Sequence, residues 1–446
     1  MQQKQIKSGF LTKQGGRWKT WHKRYFVFQD KAILYFKKQK SRSPIGVLPI
    51  TKSAKVSIAN VKTKKKHCFN LEIPGQRIYL LSACSDEDRD DWIQKISVVI
   101  KSEVHDKVSM KDFKKVRVIG RGTFGKVYLV QKISNQQFYA MKALQKGKLA
   151  ETQQIEQTMS ERNVLMRTTH PFLVSLHYSF QTEERLYMIL DYVDGGELFF
   201  HLKKLGTFSE DVVRIYAAEI TLALEHLHKM DIVYRDLKPE NILIGSDGHL
   251  RITDFGLVKM NISKRKDGKT NTFCGTPEYL APEVLKDEGY GKPVDWWSLG
   301  ILIYEMLVGL PPFYSENLNL MYQKILTATL KFPPGLSSSA RNLISGLLIR
   351  DPVKRYGSGK EDSEMIKKHQ FFEKIDWEKL FSKQTSAPFK PKVKNVYDTS
   401  NFDREFTQEN IQESVPEISY MGRDNNAFKG FTFEEDVAGI GGLKKF

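Results

Sequence analysis

The spacing of apolar residues divides the chain. Up to about residue 83, short runs in which apolar and polar positions alternate (GFLTK, RYFVFQ, AILYFKK, GVLPI, HCFNLEI, RIYLLSA) are broken by Gly, Pro and Lys-rich turns. A period of two predicts strands with one face toward a core. The period then changes. Ser85 stands as a helix N-cap before Asp86, Glu87 and Asp88, which suit the positive end of a helix dipole. Trp92, Ile96 and Val99 recur at helical spacing as far as Lys101. Residues 102 to 112 are polar and reach at most about 36 Å when extended, which predicts a short linker.

From Phe113 the stretch FKKVRVIGRGTFGKVYLV predicts strand, glycine-rich turn, strand, and a further strand carries Tyr139 to Lys142. IEQTMSERNVLMR has helical spacing, and RLYMILDYVDGGELF predicts a buried strand ending in a hinge. A helix is expected from Glu210 to Lys229, with Ser209 as N-cap and Val212, Ile215, Tyr216, Ile220, Ala223, Leu224 and Leu227 along one face. Residues 233 to 256 (VYRDLKPENILIGSDGHLRITDFG) enclose an apolar hairpin between two carboxylates, and Asp295 to Glu305 predict a buried, mainly scaffolding helix.

Length and composition allow about three globular domains and a sizeable core. Three cysteines and no zinc-like Cys/His spacing suggest neither a disulfide framework nor a metal centre, so a reducing compartment is expected. The N-terminus lacks an apolar signal region, and Gln2 stands where N-myristoylation requires glycine. Charge changes the picture more. Of the net +18, residues 1 to 101 hold +15 (22 Lys+Arg against 7 Asp+Glu), leaving 48 against 45 for the remainder. A basic first quarter predicts a module that meets an anionic surface, lipid headgroups or nucleic acid on charge alone.

The chemistry lies around the hairpin. Asp236, with Lys238 and Asn241 behind it, and Asp254, Phe255 and Gly256 resemble the catalytic loop and D-F-G motif of protein kinases, with Tyr234 where many kinases carry His. The resemblance implies that Asp236 accepts the proton of an attacking hydroxyl, Lys238 steadies the phosphoryl group, and Asn241 and Asp254 hold Mg²⁺. Gly120, Gly122 and Gly125 let a backbone fold closely over phosphates. Such a GxGxxG also fits a dinucleotide-binding unit, but here a strand and not a helix follows the turn. By resemblance, ATP is held by Ile119, Gly120, Arg121, Gly122, Thr123, Phe124, Gly125, Lys126 and Val127, by Lys142 paired with Glu161, and by the backbone of Asp191 and Val193, with Leu190 as gatekeeper.

TFCGTPEYLAPE resembles the AGC group of serine/threonine kinases. That implies an activating phosphate on Thr272, paired with Arg235 and Lys259, a Thr276 that contacts the catalytic Asp, and a structural Glu283–Arg355 pair. The polar middle of the segment, residues 259 to 272, is expected to be mobile. Gln157 replaces a His by which many relatives tie the phosphate to the regulatory helix. PFKPKV, NFDREFTQENIQES and the pattern Phe428, Lys429, Gly430, Phe431, Thr432, Phe433 resemble the AGC C-terminal extension. Thr432 and Ser414 are its implied phosphosites, although Val415 separates Ser414 from Pro416. Upstream activating kinases are implied. Glu197, Glu240 and Glu305 stand where basophilic relatives receive Arg residues N-terminal to the acceptor.

The strands before residue 83 and their closing helix resemble a pleckstrin-homology (PH) domain. Lys13 and Arg24 match its phosphoinositide-binding positions, His22 stands where Lys or Arg is usual, and Lys23 should face away. Recognition is expected to be weakened or pH-dependent, or restored by Arg17 and Lys19. The order of parts is that of the protein kinase B (Akt) family. It implies a multidomain α+β chain: a PH β-barrel with a C-terminal helix (residues 5–101), a linker (102–112), a bilobal kinase (113–372) and an AGC tail (373–446). The implied function is an ATP- and Mg²⁺-dependent serine/threonine kinase, monomeric and cytoplasmic, recruited to the inner face of the plasma membrane. The alternatives are a pseudokinase or lipid-binding scaffold, against which all six catalytic groups are present, and a nucleic-acid binder, for which no RNP-like string or recognition helix exists.

Overall fold

The computed structural model describes the chain apart from residues 1–4, 16–19, 30–31, 42, 52–53, 60–64, 75, 104–107, 263–268, 271, 414–424 and 435–446. It divides into two compact units, Met1–Lys107 and Val108–Phe446. Arg17, Lys19 and Ser414 lie outside the described residues, as does the centre of the activation segment expected to be mobile.

In the first unit, β1 (Gln5–Gln14), β2 (Trp21–Gln29), β3 (Ala32–Phe36), β4 (Gly46–Pro49), β5 (Lys55–Ile58), β6 (Cys68–Glu72) and β7 (Ile78–Ser82) form an antiparallel ladder in the order β4-β3-β2-β1-β7-β6-β5. β5 is additional to the runs singled out in the sequence, being short and mostly exposed. Both ends of the ladder feed one core: Leu48, Ile33, Phe26, Phe28, Leu11, Leu81, Phe69 and Leu71 pack with Trp92 and Ile96. A flat sheet cannot do this, so the ladder curls around the helix α1 (Asp86–Glu103). Ser85 caps that helix, its hydroxyl accepting the Asp88 N–H at 3.2 Å.

The second unit opens with β8 (Phe113–Gly122), β9 (Gly125–Lys132) and β10 (Phe138–Gln145), followed by helices α2 (Lys146–Glu151) and α3 (Ile155–Arg167) and strands β11 (Leu176–Gln181) and β12 (Arg185–Asp191). A strand from the chain's far end, β17 (Phe433–Glu434), completes a sheet ordered β17-β11-β12-β10-β9-β8. Helices dominate beyond β12. α4 (Leu198–Leu205) and α5 (Glu210–Lys229) precede the short strands β13 (Ile232–Val233), β14 (Ile242–Ile244), β15 (Leu250–Ile252) and β16 (Lys259–Met260), then α6 (Pro282–Leu285) and α7 (Pro293–Val308). α5 has the expected bounds, but the Ser209 hydroxyl makes no capping bond; only its carbonyl accepts, from Val213. Acidic Glu210 and Asp211 occupy the first turn. α7 begins on Pro293, where the missing N–H costs nothing, and buries Trp296 and Trp297 completely. Between a strand-rich lobe and a helical lobe, the β14–β15 hairpin carries Asp236 before it and Asp254 after it.

Candidate active site

The catalytic stretch is held from below. The Asp295 carboxylate, on the first turn of α7, accepts the backbone N–H groups of Tyr234 and Arg235 at 2.9 and 2.8 Å. Arg235 has φ 72° and Asp254 φ 56°, left-handed conformations that non-glycine residues adopt at a cost of about 1–3 kcal/mol each. Asp295 offsets the first. It therefore does more than scaffold, which corrects the expectation for this helix. Asp295 is itself held by His228 Nε2 at 2.8 Å, and His228 Nδ1 lies 3.0 Å from Asp362. Burial opposes charge on His228, but the two carboxylates outweigh it and raise its pKa to about 9.

Around Asp236 the expected groups converge. Asn241 Nδ2 donates to the Asp236 carboxylate at 2.8 Å and to its carbonyl at 2.9 Å, Thr276 Oγ1 donates to it at 3.1 Å, and Lys238 Nζ lies 3.2 Å away. Lys238 also donates to Thr276 at 2.8 Å, closing a ring of three side chains with Asp236, to which Asn241 is attached. Burial pushes the Asp236 pKa up, against the pull of Lys238, Asn241 and Thr276. Opposite, Lys142 Nζ sits 2.7 Å from Glu161 and 3.5 Å from Asp254. Burial disfavours the Lys142 ammonium, yet Asp254 and Glu161 together outweigh it and raise its pKa, while Lys142 holds Asp254 below the usual carboxylate range. Among the described residues no cluster of three His, Cys, Asp or Glu side chains could hold a metal alone.

β8 and β9 form the hairpin over this site, with Gly122 opposite Gly125. Only one of the three glycines is demanded by the protein's own packing: a Cβ at Gly125 would lie 1.8 Å from the Ala143 carbonyl oxygen. At Gly120 it would meet Val127 at ordinary contact, and at Gly122 nothing within 4 Å. Ile119 is buried, while Arg121 and Thr123 are exposed beside half-buried Phe124, Lys126 and Val127. The bare backbone at Gly120 and Gly122 fits a group that must approach closely, as a polyphosphate would. At the hinge Leu190 and Val193 are buried, and the Asp191 side chain is engaged by the Ser175 N–H and by His177, at 3.0 and 2.8 Å.

Glu240 acts electrostatically on both Glu197 and Glu305. Burial and then Glu240 and Asp403 push Glu197 up to about 7. Burial, with Glu240 and Glu278, pushes Glu305 to the same value against a hydrogen bond from Tyr279. Sequence reasoning missed Asp403 and Glu278; Asp403 adjoins Phe402, whose ring stacks on hinge Tyr192 at 6.0 Å.

The regulatory positions are also placed. Arg235 Nη1 and Thr272 meet through one phenol: Tyr290 receives the guanidinium at 3.1 Å and donates to the Thr272 carbonyl. Lys259 lies in β16, paired with β13 just before the catalytic stretch. Arg355 makes a bidentate pair with Glu283 at 2.7 and 2.8 Å, fully buried. In the tail, Phe428 and Phe431 are buried against α3 and β11, while Thr432 is exposed. Arg162 of α3, which the sequence did not single out, donates to the carbonyls of Phe431 and Thr432 at 3.1 and 3.2 Å. In the first unit Lys13 lies opposite His22, with its ammonium over Tyr35 at 4.2 Å. Arg24 shares that face, and Lys23 points away, over Phe10. Arg77 joins the same end unforeseen, over Tyr79 and against the Gln14 carbonyl.

A protein kinase domain model matches residues 113–372, a PH domain model residues 5–101, and a protein kinase C terminal domain model residues 393–433. A RAC family serine/threonine-protein kinase homolog of Dictyostelium discoideum is 46% identical over 439 residues, covering 95% of this chain and 96% of its own length. The RAC-beta serine/threonine-protein kinase of Homo sapiens is 38% identical over 453 residues, covering 92% and 93%. Protein kinase 2 of Dictyostelium discoideum is 53% identical over 342 residues, covering 76% and 70%.

Proposed function

Since the chain belongs to the Akt-like (RAC) family of AGC serine/threonine protein kinases with an N-terminal PH domain, we propose that it turns a phosphoinositide signal into phosphorylation of Arg-containing proteins. Bound ATP supplies the phosphoryl group, and Mg²⁺ screens its charge. Asn241 and Asp254 are the residues to hold the metal, Lys142 steadies the phosphates with Glu161 behind it, and the bare backbone at Gly120 and Gly122 admits them. Asp236 accepts the proton of the substrate hydroxyl. Its raised pKa makes it a better acceptor than a free carboxylate, and Asn241 and Thr276 fix its orientation. Lys238, 3.2 Å from Asp236, offers a cation where charge develops. Glu197, Glu240 and Glu305 receive the guanidinium groups of Arg residues upstream of the acceptor, in bidentate pairs that Lys cannot make. Lys13 and Arg24 bind the headgroup of a phosphoinositide at the cytoplasmic face of the plasma membrane, and phosphates on Thr272 and Thr432 raise activity. Ser414 stands as the third phosphosite.

The observations that carry this reading are the hydrogen-bonded cluster of Asp236, Lys238, Asn241 and Thr276 and the Lys142–Glu161–Asp254 cluster. It is tested by transfer of radiolabelled phosphate from ATP to an Arg-rich peptide. Asp254→Asn is expected to lower turnover by at least about a thousandfold, the scale of losing a charge-stabilising group at a reacting centre, with the melting temperature retained. Transfer that survives the substitution would assign the reaction to other residues.

A further inference from the structure

We infer that the tail carries a two-carboxylate clamp: Glu409 positions the glycine-rich hairpin for nucleotide, and Glu413 anchors the tail to the same sheet. The inference rests on the reading of that hairpin as the ATP site.

Arg121 on β8 and Lys126 on β9 stand directly opposite each other, the last side-chain-bearing pair before the Gly122–Gly125 pair at the turn. Like charges facing across a ladder repel and open it. The only carboxylate that the described residues bring to both is Glu409, which contacts Lys126 Nζ and lies 3.5 Å from Arg121 Nη1. It comes from the tail, nearly 290 positions away. Beyond this pair two glycines face each other, and neither carries a side chain that could neutralise the two cations. Both cations hold Glu409 below the usual carboxylate range, Lys126 most.

Four residues on, Glu413 lies on the same sheet, meeting side chains from β8 and β12, which β9 and β10 separate. Lys115 Nζ donates to it at 2.5 Å, Arg185 Nε lies 3.2 Å away and Tyr187 OH donates at 3.1 Å, while Lys115 rests on the Tyr128 ring at 4.5 Å. Arg185 is buried, so its charge requires a partner there. Glu413 supplies one before any phosphate is added to the neighbouring Ser414. Anchoring of this segment is then constitutive, and the short helix Arg404–Thr407 and Glu409 follow from it.

The test uses the full chain with phosphate on Thr272 and Thr432 matched by mass spectrometry, and measures ATP KM, kcat with an Arg-rich peptide, binding of a fluorescent ATP analogue, and melting temperature. Glu409→Gln is expected to raise ATP KM by up to about fivefold, the ceiling for a partly exposed ion pair, with kcat and melting temperature unchanged. The difference from wild type should shrink between about 0.05 and about 0.5 M salt, as screening weakens the pair. Glu413→Gln should raise KM and also lower the melting temperature, while Ser414→Ala leaves all four readouts at wild type. An unchanged KM in Glu409→Gln, a KM that falls because freed cations attract the nucleotide, or a salt-independent difference overturns the clamp. Binding of the analogue that survives Val127→Trp, which fills the roof of the site, overturns the underlying ATP-site reading instead.

Discussion

If Glu197 and Glu305 receive substrate guanidinium groups, as proposed, their raised pKa values fix how recognition depends on pH. Each must be ionised to pair with a guanidinium, yet each is pushed up to about 7, by burial and neighbouring carboxylates, before any peptide arrives. Peptide binding therefore expels protons and tightens as pH rises toward 8. Below the pKa, KM for an Arg-containing peptide should climb by at most about tenfold per pH unit per carboxyl. Glu197→Gln should raise KM at pH 8 and flatten the profile below it. A KM that is level from pH 6 to pH 8 in the wild-type enzyme refutes the role of these groups. At this scale the candidate site was legible in sequence because its residues are nearly contiguous: Asp236, Lys238, Asn241 and Asp254 fall within one hairpin and its flanks. Asp403 and Glu278 were not, since their effect on Glu197 and Glu305 is made by folding and has no periodic signal.

An element can be sound in outline and misjudged in duty, as α7 is. Its apolar run announced a buried helix, but the duty of Asp295 emerges only when α5 brings His228, and a distant loop Asp362, to the same place. The folded pKa of His228, about 9, lies above its unfolded value, so its contribution to stability is complete below about pH 6.5 and is lost as pH rises through 9. His228→Ala is expected to cost about 3 kcal/mol, the scale of breaking a buried charged pair, and to remove the decline in denaturant midpoint between pH 7 and pH 9.5. Retention of that decline in the variant assigns it to another group. The tail is a second case. F-x-x-F-T-F marked the aromatic anchors, but the strand β17 and the donors Arg162, Ser179 and Gln181 that meet their carbonyls were invisible, because backbone acceptors leave no trace in residue identity. Gln157 cannot form an ion pair to a Thr272 phosphate, which leaves the tail to position α3. Burying Phe431 contributes about 2–3 kcal/mol, so Phe431→Ala should lose more peptide turnover than Thr432→Ala, both with Thr272 fully phosphorylated. Near-normal turnover of Phe431→Ala shows that α3 is set by other contacts.

At the scale of the whole molecule, most of the net charge lies in the smaller unit. Residues 1 to 101 hold +15 of the net +18, and no helix among the described residues is long and apolar enough to cross a membrane. On the proposed phosphoinositide reading, such a basic unit would gain about 1 kcal/mol per basic residue near an anionic bilayer. Diffuse charge alone would bind any acidic vesicle equally. The proposed headgroup site requires cations held in place; on the face that Lys13 and Arg24 share, Lys13 lies over Tyr35 and Tyr79, and Arg77 lies over Tyr79 at the same end. Arg24→Ala should therefore cut binding to phosphatidylcholine vesicles that contain a phosphoinositide by at least about tenfold, the worth of one charge-assisted bidentate contact. Binding to phosphatidylserine vesicles, which read only net charge, should fall far less. Equal losses on both vesicle types mean that Arg24 adds only to a basic surface. Undiminished binding to phosphoinositide places the headgroup elsewhere on that unit.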